Sequence, residues 1–320
     1  MNINEKEAVD FLSASDRIVI LSHQSPDGDT MGSAFALYYS LTALGKQVRL
    51  ECADGFPERF CLFGLPEFDS FKPESVVAVD IADARLLGNA LQKYATAVDL
   101  CIDHHPTNTA YAKRLLLDEN AAATCEIIYR VIRKLKGSIT KEIASCLYMG
   151  ISTDTGCFKF SNTTPQTHEI AAELMRLGAD YPQINVRFFE TKSRSRIMVE
   201  RMALESMRFY FHDRCAVLVI SRAMISQTGA DDSELDGVSA IPRQIEGVDV
   251  GVTIREKDDC QYKISMRSSE QVDVSKICGL LGGGGHMRAS GCVLEGNFDQ
   301  VLQKVLTAIA DFTKWDGEMA

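Results

Sequence analysis

The stretch RIVILSHQSPDGDTMGSAFALYYSLTALG (residues 17–45) decides the fold. Ile18 to Leu21 form a short unbroken apolar run, the pattern of a strand buried on both faces. The chain then breaks at Pro26 and Gly28, and His23, Asp27 and Asp29 crowd into seven positions. From Met31 small and apolar residues run to Gly45, which predicts a helix stopped at a glycine. Strand, loop and helix in that order are the first part of a repeating parallel-sheet unit.

The pattern repeats. QVRLEC (47–52), VVAVDI (76–81) and AVDLCID (97–103) read as further strands, with a helical stretch near 84–94. Helices are predicted over 122–136, 140–151 and 165–178. Together these segments predict an α/β fold with a parallel sheet and helices on both faces. Residues 191–213 read as one long helix between domains. CAVLVIS (215–221) begins a second pattern, and VDVGVTIRE and QYKISMRSS read as a β-hairpin. A glycine run at 282–285 and a helix over 298–313 close the chain. The expected organisation is a first domain at 1–190, a helical linker at 191–214 and a smaller α/β domain at 215–320.

Composition narrows the function. The chain has 320 residues, 46% hydrophobic and 24% charged, which fits a soluble globular protein of two domains. No apolar run approaches the ~18 residues of a membrane span. The opening MNINEKEAVDFLSASD lacks the basic start and apolar core of a signal peptide, so a cytoplasmic protein is expected. Ten cysteines are scattered and never form C-x-x-C, which predicts reduced core thiols rather than disulfides or zinc ligands. A net charge of -10 argues against broad capture of long nucleic acid. It leaves room for a small phosphorylated ligand, because bound cations and a few arginines can dominate a site.

In open α/β sheets, ligands bind beyond the carboxyl ends of the strands. There the sequence places His23, Asp27 and Asp29 after the first strand, Asp80 after VVAV, and Asp103, His104 and His105 after the strand of 97–103. Asp154 follows in the glycine-flanked GISTDTGCF. Each acid alone reads as a cap or turn residue. Together they would repel unless cations neutralised them, and oxygen ligands with one or two imidazoles suit manganese, magnesium or iron. Gly28 is expected to turn the backbone so that Asp27 and Asp29 face different ions.

HQSPDGDTMGS, the Asp of VVAVD, DHHPTN and GISTDTGCFKFSN resemble, in that order, the four motifs of the DHH phosphoesterases. That superfamily includes RecJ-like exonucleases, short-oligoribonucleotide hydrolases and family II pyrophosphatases. The resemblance implies two divalent metals, most commonly Mn2+, with Mg2+ as the alternative. His23 and Asp27 would bind the first metal, Asp29, His104 and Asp154 the second, and Asp80 would bridge them. Asp103 would orient a histidine or its loop, and His105 would donate to the phosphate near the leaving group. Two metals about 3.5–4 Å apart can share a water and lower its pKa, so no covalent nucleophile is required.

In the second domain LLGGGGHMRASGC (280–292) reads either as an anion-binding nest or as a mobile loop. It resembles the glycine-histidine signature of the DHH-associated domain, with Ala289-Ser290-Gly291 a mild departure. YKISMRSS resembles the strand carrying that domain's substrate arginine, here Arg267. The implied substrate-binding residues are Arg267, Gly283, Gly284, Gly285, His286 and Arg288. Lys263 shares Arg267's face by two-residue alternation and reads equally well as solvated edge or phosphate contact. The compact length matches the short-oligonucleotide hydrolases called nanoRNases. Their implied reaction converts short oligoribonucleotides or dinucleotides such as linear diadenylate to mononucleotides, with the substrate held across an interdomain cleft. The alternatives are a 3′-phosphatase acting on adenosine 3′,5′-bisphosphate and a nucleotide-binding regulator with a vestigial site. The expected partners are short RNA or nucleotides, with no long nucleic-acid track, no membrane and a homodimer as an option.

Overall fold

A computed structural model of the chain describes residues 1–316 except Lys136, Asp259 and Glu270. The side chains of Asp232, Ser233, Asp236, Asp258 and His286 lie outside that description. The chain divides into two units, Met1–Thr191 and Lys192–Ala320.

The first unit runs α1 (Glu5–Ala14), β1 (Ile18–Ser22), α2 (Gly28–Ala43), β2 (Val48–Cys52), β3 (Ser75–Val79), α3 (Gly88–Leu91), β4 (Leu100–Asp103), β5 (Arg114–Leu117), α4 (Thr124–Lys134), α5 (Lys141–Asp154), α6 (Pro165–Arg176) and α7 (Tyr181–Asn185). Among the described residues its strands form a five-stranded parallel sheet in the order β2-β1-β3-β4-β5. β1 and β3 are buried along their whole length. Alternate strand residues enter opposite layers, as the two-residue period requires. Ile18, Ile20, Val77 and Val79 pack with residues of α1, α2, α4 and α5. Val19, Leu21, Val76 and Ala78 pack against Leu87, Leu91 and Tyr94 from the short helical turns of 84–94. The expected parallel sheet covered on both faces is present.

α1 and β5 are additions to the sequence reading. α1 starts at a capping box in which Asn4 and Glu7 satisfy each other's amides. α5 runs to Asp154, so this acid is the last residue of a helix, not part of a turn.

The second unit runs α8 (Arg194–Glu205), β6 (Arg208–Tyr210), β7 (Cys215–Ile220), α9 (Arg222–Thr228), β8 (Val250–Asp258), β9 (Gln261–Ser268), α10 (Val274–Leu280), β10 (Gly284–His286), β11 (Ala289–Glu295) and α11 (Phe298–Thr313). Its strands form a mixed sheet in the order β10-β11-β9-β8-β7-β6, with β7 and β8 parallel. Residues 191–213 are not one long helix. α8 ends at Glu205, and its Val199 and Ala203, one turn apart, sink into the second unit against Leu218 and Ile220. The helix therefore belongs to the second unit's core because its apolar stripe is buried there. The β8–β9 hairpin is present, with Tyr262, Ile264 and Met266 buried on one face. The glycine run enters β10, which pairs antiparallel with β11.

Candidate metal centre

In a sheet of order 2-1-3-4-5 the connections leave β1 and β3 in opposite directions, and the crevice at their carboxyl ends is the expected ligand position. His23 follows β1, and Asp80 follows β3. Asp80 adopts a left-handed backbone (φ 60°), which asparagine and aspartate tolerate better than other residues. Its amide donates to the Ile102 carbonyl (2.9 Å), and the Thr30 hydroxyl donates to the Val79 carbonyl (3.1 Å). These bonds tie the residue to β4 and the preceding peptide to α2.

Asp27 is the N-cap of α2, its Oδ1 accepting from the amides of Asp29 (3.0 Å) and Thr30 (3.1 Å). Asp29 lies inside the first helical turn, so cap and turn geometry separates the two carboxylates. Gly28 does not supply the expected turn, because it is the first helical residue and its φ is not positive. A Cβ there would stand 2.1 Å from Thr153 Oγ1. Gly32 and Gly150 follow the same logic: their Cβ atoms would stand 2.5 Å from the Cys146 carbonyl and 2.2 Å from Cys125 Sγ. Glycine thus permits the close approach of α2 and α5, which carry Asp29 and Asp154, and of α5 to α4. After Asp154 the chain turns through Gly156, Cys157 and Phe158, all left-handed. Asn162 Nδ2 pins that turn by donating to the carbonyls of Ala122 (3.0 Å) and Asp154 (3.3 Å).

The side chains gather in three overlapping sets, one of them Asp80 with His104 and His105. Potential ligand atoms of His23, Asp27 and Asp80 lie within 4.8 Å of one another, and so do those of Asp29, His104 and Asp154. Asp80 stands between these last two. Its Oδ2 is 3.8 Å from His23 Nε2, and its Oδ1 is 3.8 Å from His104 Nε2. His23 Nδ1 lies 2.7 Å from the Gln24 carbonyl and His104 Nδ1 3.1 Å from the Ala121 carbonyl. A carbonyl only accepts, so Nδ1 carries the proton and the neutral ring offers the Nε2 lone pair to the acids.

Asp103 is fully buried and does not join any of these sets. Its Oδ1 accepts from the amides of His104 (2.8 Å) and His105 (3.3 Å) and from His105 Nδ1 (2.8 Å). Its Oδ2 accepts from Asn108 Nδ2 (2.6 Å). These bonds offset burial and, led by His105, hold its carboxyl below the usual range. Asp103 thereby fixes the loop that presents both histidines.

Three of the other acids, Asp29, Asp80 and Asp154, are strained electrostatically. Burial, then the charge of Asp80, raises Asp29 to a pKa of about 7. Burial, then Asp27, raises Asp80 to about 6, and burial, then Asp29, raises Asp154 to about 7. Burial works against a charged His23, but Asp27 and then Asp80 outweigh it and raise its pKa to about 9. In His105 burial is likewise outweighed, by Asp103 and then Asp80, and the pKa rises to about 9. The cluster thus retains protons as counter-ions, which a divalent cation would displace. The donors are carboxylate oxygens and imidazole nitrogens, the chemistry of manganese or magnesium rather than of thiolate zinc.

Three supporting residues escape the sequence reading. Thr124 donates to both Asp29 and Asp80, Asn108 to Asp103, and Asn162 pins the turn after Asp154. Asn108 and Asn162 lie inside the quoted motifs. Thr124 is preceded only by the small run Ala121–Ala123, which carries no chemical signal.

In the second unit Arg267 is half-buried on β9 and its Nη1 donates to the Met266 carbonyl (3.0 Å). β11 sets Ala289 opposite Arg267. The amides of Gly282 and Gly283 donate to the carbonyls of Gly279 (3.1 Å) and Cys278 (2.8 Å), so neither contributes to an open nest. Gly283 is needed for packing, since its Cβ would stand 2.4 Å from that of Cys292. Arg288 is exposed, and its carbonyl accepts from the Ser268 amide (3.2 Å). Lys263 is also exposed, and the His286 side chain lies outside the described residues. All ten cysteines are free. Among the described residues no helix is long and apolar enough to cross a membrane.

Parallel-sheet geometry, a site at its topological switch and clustered oxygen and imidazole donors define an α/β protein with groups that could hold divalent metal. Comparison with known proteins gives the family. Residues 17–151 match the DHH family N-terminal domain and residues 213–314 the DHHA1 domain. A Thermus thermophilus protein named "Bifunctional oligoribonuclease and PAP phosphatase NrnA" is 34% identical, covering 92% of this chain and 89% of its own. The chain belongs to the DHH family. A crystal structure of an exopolyphosphatase-related protein from Bacteroides fragilis has the same fold, with a TM-score of 0.89 at 24% identity, covering 97% of this chain and 96% of that one. Exonuclease RecJ bound to manganese shares the fold more distantly, with a TM-score of 0.52 at 12% identity, covering 98% of this chain and 95% of that one.

Proposed function

We propose that this protein hydrolyses short oligoribonucleotides or dinucleotides, such as linear diadenylate, to mononucleotides, and that the same centre removes the 3′-phosphate of adenosine 3′,5′-bisphosphate. The observation that carries this reading is Asp80, which turns one carboxylate oxygen toward each of two ligand sets. The T. thermophilus relative, whose name joins both activities, supports assigning them to one site.

His23, Asp27 and Asp80 would hold one divalent cation, and Asp29, His104, Asp154 and Asp80 a second. Manganese is the first candidate and magnesium the alternative. When bound, the two ions supply Lewis acidity toward phosphoryl oxygens and lower the pKa of a coordinated water. The protein's own contribution is placement and proton supply. Asp103 fixes Nδ1–H of His105 and, with Asp80, raises its pKa to about 9 in the metal-free site, so a ring that keeps its proton would present Nε2–H to the substrate. Nε2–H is then free to donate to a phosphate oxygen or to the leaving oxygen. Arg267, Arg288 and the segment Gly284–His286 would hold the remainder of the substrate by charge-assisted and backbone hydrogen bonds.

The test is one panel with manganese and with magnesium: linear diadenylate, adenosine 3′,5′-bisphosphate, pyrophosphate, and RNA of two to about twenty nucleotides. Mononucleotides from the shortest RNA and phosphate from the bisphosphate are expected. Hydrolysis of pyrophosphate alone, or metal-independent turnover, would overturn the reading.

A further inference from the structure

We propose that Thr124 is a positioning residue that assigns one oxygen of Asp80 to the second metal position, and so sets how tightly that position is filled. The inference rests on the two-cation reading above. Thr124 opens α4 and is completely buried. The preceding N-cap, Ala123, has no side chain that could cap the helix. The helix start is instead satisfied by a carboxylate from another element. The Thr124 amide donates to Asp29 Oδ2 (2.6 Å), and the Cys125 amide donates to Asp29 Oδ1 (2.9 Å). The positive end of α4 thus fixes both oxygens of Asp29.

The hydroxyl does something separate. Thr124 Oγ1 stands 2.9 Å from Asp80 Oδ1. An ionised carboxylate only accepts, so the hydroxyl donates. The oxygen it reaches is the one facing His104, not the one facing His23. A carboxylate can rotate, and two adjacent cations could each draw either oxygen. A donor on Oδ1 alone removes that freedom and keeps Oδ2 for the His23 and Asp27 set. Thr124 thus touches two of the acids beside the second position, one through its backbone and one through its side chain. It touches the first position only through the far oxygen of Asp80. Removing the hydroxyl should therefore weaken the two positions unequally, which loss of general packing would not do.

The test uses the full chain, stripped with chelator and titrated with Mn2+ while free Mn2+ is read by electron paramagnetic resonance. Two binding events are expected for the unaltered protein. Thr124→Val keeps the volume and both backbone bonds, and should leave the first constant within about twofold while weakening the second by about 10–100-fold, the usual cost of losing an outer-shell partner. Thr124→Ser keeps the hydroxyl and should restore the second constant. Thr124→Cys offers a weak donor of similar size and should fall between them; it carries the test if the valine variant does not melt cooperatively. Unchanged second constants in the valine or cysteine variant, or equal weakening of both constants, would overturn the proposal. If the unaltered protein binds fewer than two ions, the two-cation reading fails instead, and the two failures are distinguishable.

Discussion

Asp80 is 3% exposed and shares its site with Asp27 and three imidazoles. Burial, then the charge of Asp27, raises its pKa from 3.8 to about 6. For an acid raised on folding the sign is unfavourable: the unfolded chain gives up the proton first, so stability falls as pH climbs from about 4 through 6. Above that window the metal-free fold carries a penalty on the order of 3 kcal/mol from this group. Asp80→Asn removes the charge and keeps the shape. At pH 7.5 without metal, the variant should melt several degrees higher than the unaltered protein, and the gain should vanish near pH 4. With saturating Mn2+ the order should reverse and turnover should drop by at least about a thousandfold. Thermal scans with and without metal, across that pH range, check it; equal metal-free melting at pH 7.5 would remove the electrostatic argument. The six candidate ligands were legible because each sits in a short dense motif at an element end. Thr124 was not, because its meaning depends on Asp29, 95 residues away, and on Asp80.

At the scale of elements, the crossing of α2 on α5 sets how near Asp29 can lie to Asp154. Gly150 on α5 faces both α4 and α2: an added Cβ would stand 2.2 Å from Cys125 Sγ and 2.9 Å from Asp29 Oδ1. Overpacking of this kind costs about 1–3 kcal/mol, and here relief requires moving a candidate ligand. Gly150→Ala should therefore lose stability by that amount and also weaken Mn2+ binding, read by chemical denaturation and metal titration on the same sample. A stability loss with unchanged Mn2+ affinity would show that the crossing does not position Asp29. The sequence assigned Gly28 to a turn because glycine beside two acids usually marks one. Close helix approach leaves no local signature, since the atom that excludes a side chain at Gly28 belongs to Thr153, more than a hundred positions away. β5 was missed for a related reason: four residues, RLLL, are too few to show a period. α1 was legible in principle, with Asn4 and Glu7 at capping-box spacing ahead of Ala8 and Leu12.

At the scale of the whole molecule, each unit closes its own core: Ile20, Phe35 and Leu147 lie in one cluster of the first, and Val252, Ile264 and Val305 in one of the second. The change from alternating strands and helices to a hairpin-rich pattern made that division legible. The sequence reading made 191–214 a linker, whereas α8 belongs to the second unit; this was not legible, because an apolar pair one turn apart reads the same whichever core receives it. Separate cores give a clean prediction about the division of labour. Arg267 lies in the second unit and the candidate ligands in the first. Arg267→Ala should leave both Mn2+ constants unchanged and raise KM for a dinucleotide by about 10–100-fold, the worth of one charge-assisted hydrogen bond. With a net charge of -10, the chain has little long-range attraction for extra phosphates, so each added nucleotide should bring cost rather than affinity. Turnover should consequently fall from dinucleotides toward twenty-nucleotide RNA, in the variant as in the unaltered protein. Steady-state kinetics over that length series reads both effects. A KM that improves steadily with length would require a basic track beyond Arg267, and would assign the second unit to capture of long strands.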